Sequence, residues 1–345
     1  MSDTPGFWRR LLGRKPAEET SPPSTQPDVF LSTRGASIDH YEIGAELGRG
    51  AMAMVHLARE IGSGREVAIK RLALQREFAA EDLADVRQRF MREARAARHL
   101  HHPDILEVLD AGEAGQDAWI AMEYVRGQDL SHYTRPGQLL PVHEVLAISV
   151  RLARALAYAH AQGVVHRDIK PSNVMYDRDS GTLKIMDFGI ARIADGSRTR
   201  TGLVLGTPSF MSPEQLAGLK VDGRSDLYSL GAMLYQLLTG HLPHQSESMA
   251  KLMQMIAQQP APDVRHYRPG LPESLALVLA LALEKRPELR YGSGEQMALD
   301  LEAVAAQIGP NDPAPPHASA PSVDPFAQTL RLSPGDRGQN PGSAS

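Results

Sequence analysis

The apolar pattern of this chain changes period near residue 126. Before that point, short runs read as strands: YEIGAELG from 41, AMVHLARE from 53, EVAIKRLA from 66 and AWIAMEYV from 118. One helical segment at about 81–100 interrupts them, with Val86, Phe90, Ala97 and Leu100 on one stripe. Beyond 126 the spacing is helical. PVHEVLAISVRLARALAYAHAQG has apolar residues at 145, 148, 152 and 156, starts near Pro141 and stops at Gly163. Such a switch implies an α+β chain, in which a small sheet-based lobe is followed by a larger helical lobe.

The remaining boundaries follow from composition. Of 345 residues, 42% are hydrophobic, enough for a well-buried core. Residues 16–38 are rich in Pro, Ser, Thr and Glu, residues 309–345 are rich in Pro, Ser, Gly and Ala, and neither has enough apolar periodicity to fold, so 1–40 and 308–345 are expected to be disordered tails. The ordered unit is then 41–307, divided into lobes of 41–125 and 126–307. Within the first tail, segment 6–15 sets Phe7, Trp8, Leu11 and Leu12 among Arg9, Arg10, Arg14 and Lys15. It suits peripheral contact with an anionic membrane or docking on a partner, against a bland reading as a frayed end. A net charge of −4 gives no nucleic-acid footprint. The absence of cysteine excludes disulfides, thiol catalysis and Cys-ligated zinc. The longest apolar run, 275–283, is too short to span a bilayer and reads as a core helix. No signal-peptide pattern is visible, and the expected location is the cytoplasm.

Four stretches carry chemistry. Gly48 and Gly50 fall between two strand-like runs, where backbone N–H groups can approach phosphate oxygens. In VAIK, Ala68 and Lys70 point to one face of a strand, which suits a flat base over Ala68 and phosphates near Lys70. Glu93 falls on the apolar stripe of the 81–100 helix and needs a partner there. Lys70 is the natural one, against pairing with Arg89 or escape to solvent. Finally, Asp168 and Asn173 in HRDIKPSN lie between the β-like runs GVV and TLKIM, the latter ending in Asp187–Phe188–Gly189. Hard oxygen ligands without His or Cys suit Mg²⁺, and Asn173 and Asp187 are the candidates. Asp168 is left to orient, or take a proton from, an incoming hydroxyl.

Taken in order, these motifs resemble the eukaryotic-type protein kinases in their bacterial serine/threonine branch. The match also includes Ser212–Pro213–Glu214, Asp226 and Arg290. The resemblance implies a bilobal protein-kinase-like fold, with a small antiparallel-sheet N-lobe, one key helix and a larger helical C-lobe. It implies that Leu47, Gly48, Arg49, Gly50, Ala51, Met52, Ala53, Met54 and Val55 cover ATP. Lys70 would hold the α- and β-phosphates, fixed by Glu93. Ala68, Met122, Glu123 and Val125 would frame the adenine. Asp168 would be the base, Lys170 would neutralise the moving phosphoryl group, and Asn173 and Asp187 would hold Mg²⁺, with Mn²⁺ as a substitute. Glu214 would pair with Arg290. Ala53 stands where the family has a third glycine, which implies tuned ATP affinity.

Lys170 two residues after Asp168, and Thr207 in GTPSF, resemble the Ser/Thr branch, so the implied substrates are proteins with Ser or Thr acceptors. Thr199 and Thr201 lie in the segment between Asp187 and Glu214. They resemble an autophosphorylation pair modified in trans, which implies self-association, with Arg167, Arg192 and Arg89 near the phosphate. Thr329 is a further phosphosite candidate. With neither a membrane span nor an outer sensor domain legible, the input signal is expected from inside the cell or through a partner. Two other classes compete: a scaffold that has lost catalysis, and a small-molecule phosphotransferase. The first is opposed by Lys70, Asp168, Asn173 and Asp187, the second by Glu214, Thr207 and Arg290.

Overall fold

The computed structural model describes residues 38, 40–49, 53–74, 78, 81–114, 117–188 and 208–308. Gly50, Ala51, Met52, Arg192, Thr199, Thr201, Thr207, Thr329 and segment 6–15 lie outside the described residues.

Five antiparallel strands form the first sheet: β1 (Tyr41–Arg49), β2 (Ala53–Glu60), β3 (Glu66–Leu72), β4 (Val108–Ala114) and β5 (Asp117–Glu123), in the order β1-β2-β3-β5-β4. β3 is central, so Val67, Ala68, Ile69 and Lys70 are all buried and its two faces serve different layers. Helix α1 (Leu83–Arg98) crosses one face, packing Val86, Phe90 and Ala94 against Leu72, Ala118 and Ile120, while Glu93 is buried and Ala97 joins the core of the second lobe. The opposite face holds Ile38, Tyr41, Val67 and Trp119.

The second lobe is helical and built on α2 (Val142–Ala161), which starts at Pro141 as expected. A small sheet joins the lobes: β6 (Gln128–Asp129), β7 (Val174–Asp177) and β8 (Thr182–Ile185). Its link to the first lobe is a backbone exchange, Leu106 N–H to Ile185 C=O and Ile185 N–H to Asp104 C=O, both 2.8 Å. Then come α3 (Pro213–Leu216), α4 (Gly223–Thr239), α5 (Met249–Gln258), α6 (Glu273–Ala282) and α7 (Gly294–Ala305). The 275–283 run is α6. Leu275, Val278, Leu279 and Ala282 face the core, but Leu277 and Leu281 are exposed.

One local expectation is corrected. Residues 163–165 belong to no strand, and the strand paired with β8 is β7, which follows Asn173. Gly163 has φ 73° and ends α2 through its N–H to the His160 carbonyl, 2.9 Å. The extended residues after it pair with no neighbouring strand, so their apolar run misleads.

Candidate active site

The slot between the lobes is lined by one apolar cluster. Leu47, Val55, Ala68 and Met122 come from the five-stranded sheet, Leu106 from the segment before β4, Val125 from the connection, and Met175 and Met186 from the second lobe. Ala68, Met122 and Val125 were legible as lining. Met175 and Met186 were not, although each sits two residues or fewer from a motif residue, Asn173 or Asp187. Glu123 is fixed twice over: its carboxylate accepts from the Glu107 N–H at 2.8 Å and pairs with Lys184 at 2.7 Å. Arg49 is exposed and pairs with Glu46 at 2.6 Å. Ala53 opens β2 and is buried, while Met54 is half-buried.

Lys70 is buried, and its ammonium donates to Asp187 Oδ1 at 2.8 Å. Glu93 lies on the buried face of α1 as its spacing predicts, and Arg92 meets its carboxylate at 3.3 Å. Where the sequence reading expects Lys70 to meet Glu93, the ammonium donates to Asp187. Lys70 has turned to Asp187, and Arg92, adjacent in sequence, reaches Glu93 from the exposed side of the helix. Sequence spacing fixes the face of a helix but not the rotation that brings it to a strand.

The loop after α2 brings the other charged groups together. Asp168 Oδ2 accepts from Lys170 Nζ at 2.7 Å and from Asn173 Nδ2 at 2.9 Å. Asn173 Nδ2 also donates to the Asp168 carbonyl at 2.7 Å. Both amide protons of Asn173 are thus used on Asp168, and its Oδ1 is left as an acceptor. That oxygen and the second oxygen of Asp187 are hard donors of the kind Mg²⁺ prefers, and Mg²⁺ needs few protein ligands. Among the described residues, no cluster of three or more His, Cys, Asp or Glu is arranged to hold a metal.

Two residues of the site have left-handed backbones without being glycine: Arg167 at φ 70° and Asp187 at φ 60°. Such conformations cost on the order of 1–3 kcal/mol and persist only where the surroundings fix them. For Arg167 the fixing group is Asp226, fully buried at the start of α4. Its carboxylate accepts from the Arg167 N–H at 2.7 Å, the His166 N–H at 2.8 Å and His160 Nε2 at 2.8 Å. Gln215 Nε2 then donates to the Arg167 carbonyl at 2.7 Å. His166 bridges to the neighbouring segment. Its Nδ1 accepts from the Asp168 N–H at 3.2 Å, so Nε2 carries the proton and donates to the Met186 carbonyl at 2.7 Å. Its ring meets Phe188 edge-on, with centroids 4.6 Å apart. The positioning roles of His166 and Gln215 were missed in the sequence. Nothing in their spacing separates them from other loop polar residues.

Below the site, Arg290 and Glu214 form a buried two-pronged pair at 2.6 and 2.7 Å, as expected. Burial pushes the Glu214 carboxyl up, but the hydrogen bonds from Arg290 and Ser225 outweigh it, and its pKa lies below the ordinary value.

A twisted five-stranded sheet with one crossing helix, a helical second lobe and this charged cleft define a two-lobed kinase-like fold. The chain belongs to the protein kinase domain family, whose description matches residues 41–300. It is 42% identical over 272 residues to the "Probable serine/threonine-protein kinase SCO3848" of Streptomyces coelicolor, covering 76% of this chain and 39% of that protein. It is 40% identical over 282 residues to the serine/threonine-protein kinase PknB of Mycobacterium leprae, covering 80% of this chain and 44% of that one. The solved kinase domain of Mycobacterium tuberculosis PknI superposes with a TM-score of 0.64 at 36% identity, covering 78% of this chain and 98% of that domain. The chain thus spans about two fifths of the length of these curated relatives.

Proposed function

We infer that the chain is a serine/threonine protein kinase that transfers the γ-phosphoryl group of ATP to Ser or Thr hydroxyls of proteins. The observation that carries this reading is the Asp168 carboxylate, held by Lys170 and Asn173 at the mouth of the slot that Lys70 and Asp187 close. ATP is the co-substrate. Its adenine fits between Ala68 and Met175 beside Met122 and Val125, under residues 47–55. Lys70 holds the phosphates once it leaves Asp187, and Glu93 then becomes its partner, as both contacts are needed in this family. Asn173 and Asp187 hold Mg²⁺, which supplies charge neutralisation for the phosphates when bound. Asp168 orients the acceptor hydroxyl and takes its proton. Lys170, already beside Asp168, offsets the charge of the transferring group, and Thr207 shapes the acceptor site.

The similarity to serine/threonine kinases at about 40% identity, together with Lys170, supports the Ser/Thr assignment. Thr199 and Thr201 are proposed as sites of autophosphorylation between two copies. Among the described residues no helix is long and apolar enough to cross a membrane. The reading places this unit in the cytoplasm, with segment 6–15 as its contact to the inner membrane face or to a partner. The test is γ-phosphate transfer from Mg-ATP to a generic basic protein, run beside Asp168→Asn. Loss of transfer on substitution is expected, and equal incorporation by both forms would refute the reading.

A further inference from the structure

Helix α1 has arginines at 87, 89, 92, 95 and 98. Four of these, Arg87, Arg89, Arg92 and Arg95, line a single groove with Met91 and with Glu113 of β4. Arg87 reaches Glu113 at 3.5 Å, and Arg92 and Arg95 are exposed. Four guanidinium groups line it with the Glu113 carboxylate, and Arg92 also contacts Glu93, so the concave surface keeps an excess of positive charge that favours an anion. The planar guanidinium fork matches phosphate oxygens two at a time.

The first tail enters the fold on the sheet face opposite this helix, and its entry point connects to the helix around the β4 edge. The Tyr41 N–H donates to the Ile38 carbonyl at 2.8 Å, and the Tyr41 ring meets Trp119 at 5.8 Å. Trp119 pairs in register with Gly112 on β4, the edge strand. On that same strand Asp110 meets Arg98, in the last turn of α1, at 3.5 Å. From Arg98 back to Arg87 the helix runs about 17 Å. Residues 29–37, if extended, span about 30 Å. The segment before them, EETSPPSTQPD at 18–28, has three carboxylates, four hydroxyls and no cation.

We propose that residues 18–28, phosphorylated at one or more of Thr20, Ser21, Ser24 and Thr25, dock in the α1 groove on Arg87, Arg92 and Arg95. Each phosphate adds about −1.5 to −2 charges and three acceptor oxygens. Tethering through 29–37 gives the segment a local concentration of roughly millimolar order. The phosphate source rests on the kinase reading. The acceptor Oγ forms its bond to the γ-phosphorus as the bond to the β,γ-bridging oxygen breaks. ADP leaves with that electron pair, and the hydroxyl proton passes to Asp168. Docking engages Arg92, which otherwise contacts Glu93. The groove therefore bears on whether Glu93 is available to Lys70.

The test uses a labelled peptide of residues 16–30, phosphorylated at Thr20 and Ser24, titrated against the full chain by fluorescence anisotropy. It needs no activity from the chain, so its failure is distinct from failure of the transfer assay. The unphosphorylated peptide, and the phosphopeptide against Arg92→Glu with Arg95→Glu, should bind about tenfold or more weaker. Equal binding of the phosphorylated and unphosphorylated peptides overturns the proposal. So does equal binding of a scrambled phosphopeptide of the same charge, which would make the groove a general phosphate site. In a second arm, the full chain is incubated with Mg-ATP and hydrogen exchange is followed over 84–98. Slower exchange is expected, and it should be lost in the Thr20, Ser21, Ser24 and Thr25→Ala chain. Those changes lie outside the folded lobes. Retained protection there, or no phosphate on 18–28 after incubation, overturns the proposal.

Discussion

The Lys70 ammonium and the Asp187 carboxylate lie 2.8 Å apart across the cleft, with 8% and 15% of their side chains exposed. Each neutralises the other in a partly dry site, where an unpaired charge is costly. The kinase reading assigns one to phosphate and the other to Mg²⁺, so substrate binding exchanges this pair for stronger opposite charges. Asp187→Asn and Lys70→Ala are each expected to lower turnover by about 10²–10³. Asp187→Asn should also raise the Mg²⁺ concentration needed for half-maximal rate. Steady-state assays over a Mg²⁺ series check both, and wild-type turnover in either variant counts against the assignment.

Asp168 is held by two donors on one oxygen, Lys170 and Asn173, which leaves its other oxygen to face an incoming hydroxyl. Asparagine keeps the shape but not the proton affinity. Asp168→Asn is expected to lower the single-turnover rate by about 10²–10⁴. Nucleotide affinity, read by direct titration, should change little, because the residue touches neither adenine nor Lys70. A parallel loss of affinity would mean that the residue binds instead of reacting.

Asp226 touches no reacting atom yet holds the backbone of His166 and Arg167. With Asp226→Asn, one oxygen becomes an amide donor facing a backbone donor, leaving a buried N–H unmatched at a cost of about 1–3 kcal/mol. Arg167 then loses the anchor for its left-handed backbone. Turnover should fall about tenfold or more while KM for ATP stays within about twofold, the split of a positioning residue. A thermal melt showing that the lost turnover matches a lost folded fraction would assign Asp226 to general stability alone.

What was legible in the sequence was what depends on local spacing. Period two against period 3.6 separated the lobes, and Pro141 and Gly163 bounded α2. Ala68 and Lys70 shared a strand face, and Glu93 fell on the buried stripe of α1. What was not legible depends on contacts between distant segments. GVV at 163–165 carries the residue types of a strand but has no partner, while β7 does. Met175 and Met186 line the slot only because β7 and β8 pair. The pairing of Lys70 with Asp187 is a choice between two carboxylates that spacing offers equally.

Arg290 uses all five of its N–H donors: two on Glu214, and the rest on the carbonyls of Glu284, Arg224 and Lys285. Its guanidinium also lies 5.0 Å from the Tyr228 ring centre. Removing it leaves the buried Glu214 carboxylate without its counter-charge and with Ser225 as a neutral donor, which costs about 3–5 kcal/mol. Arg290→Ala should therefore lower Tm by roughly 10 °C for a unit of this size. Arg290→Met with Glu214→Leu, which removes both charges, should recover most of the loss. A thermal shift within about 2 °C of wild type for the single variant would contradict the arithmetic.

His244 is buried, and its ring nitrogen Nε2 lies 3.2 Å from Lys285 Nζ. Burial, and then the Lys285 charge, push its pKa down from 6.5 to about 4. A neutral imidazole can accept from the ammonium, whereas a protonated one cannot. Between those two values the unfolded chain binds a proton that the native state refuses. Stability is therefore fully present above about pH 6.5 and falls as pH drops toward 4, by on the order of 3 kcal/mol from this group. Lys285 is likewise pushed down to about 8, first by burial and then by Arg290, so it favours folding more as pH rises from about 8 toward 10.5. In urea melts at about pH 4.5 and about pH 7, wild type should lose more stability on acidification than His244→Gln, by about 2 kcal/mol. Other groups titrate equally in both chains and cancel in that difference. An equal loss in the two would show that His244 takes up its proton in the native state.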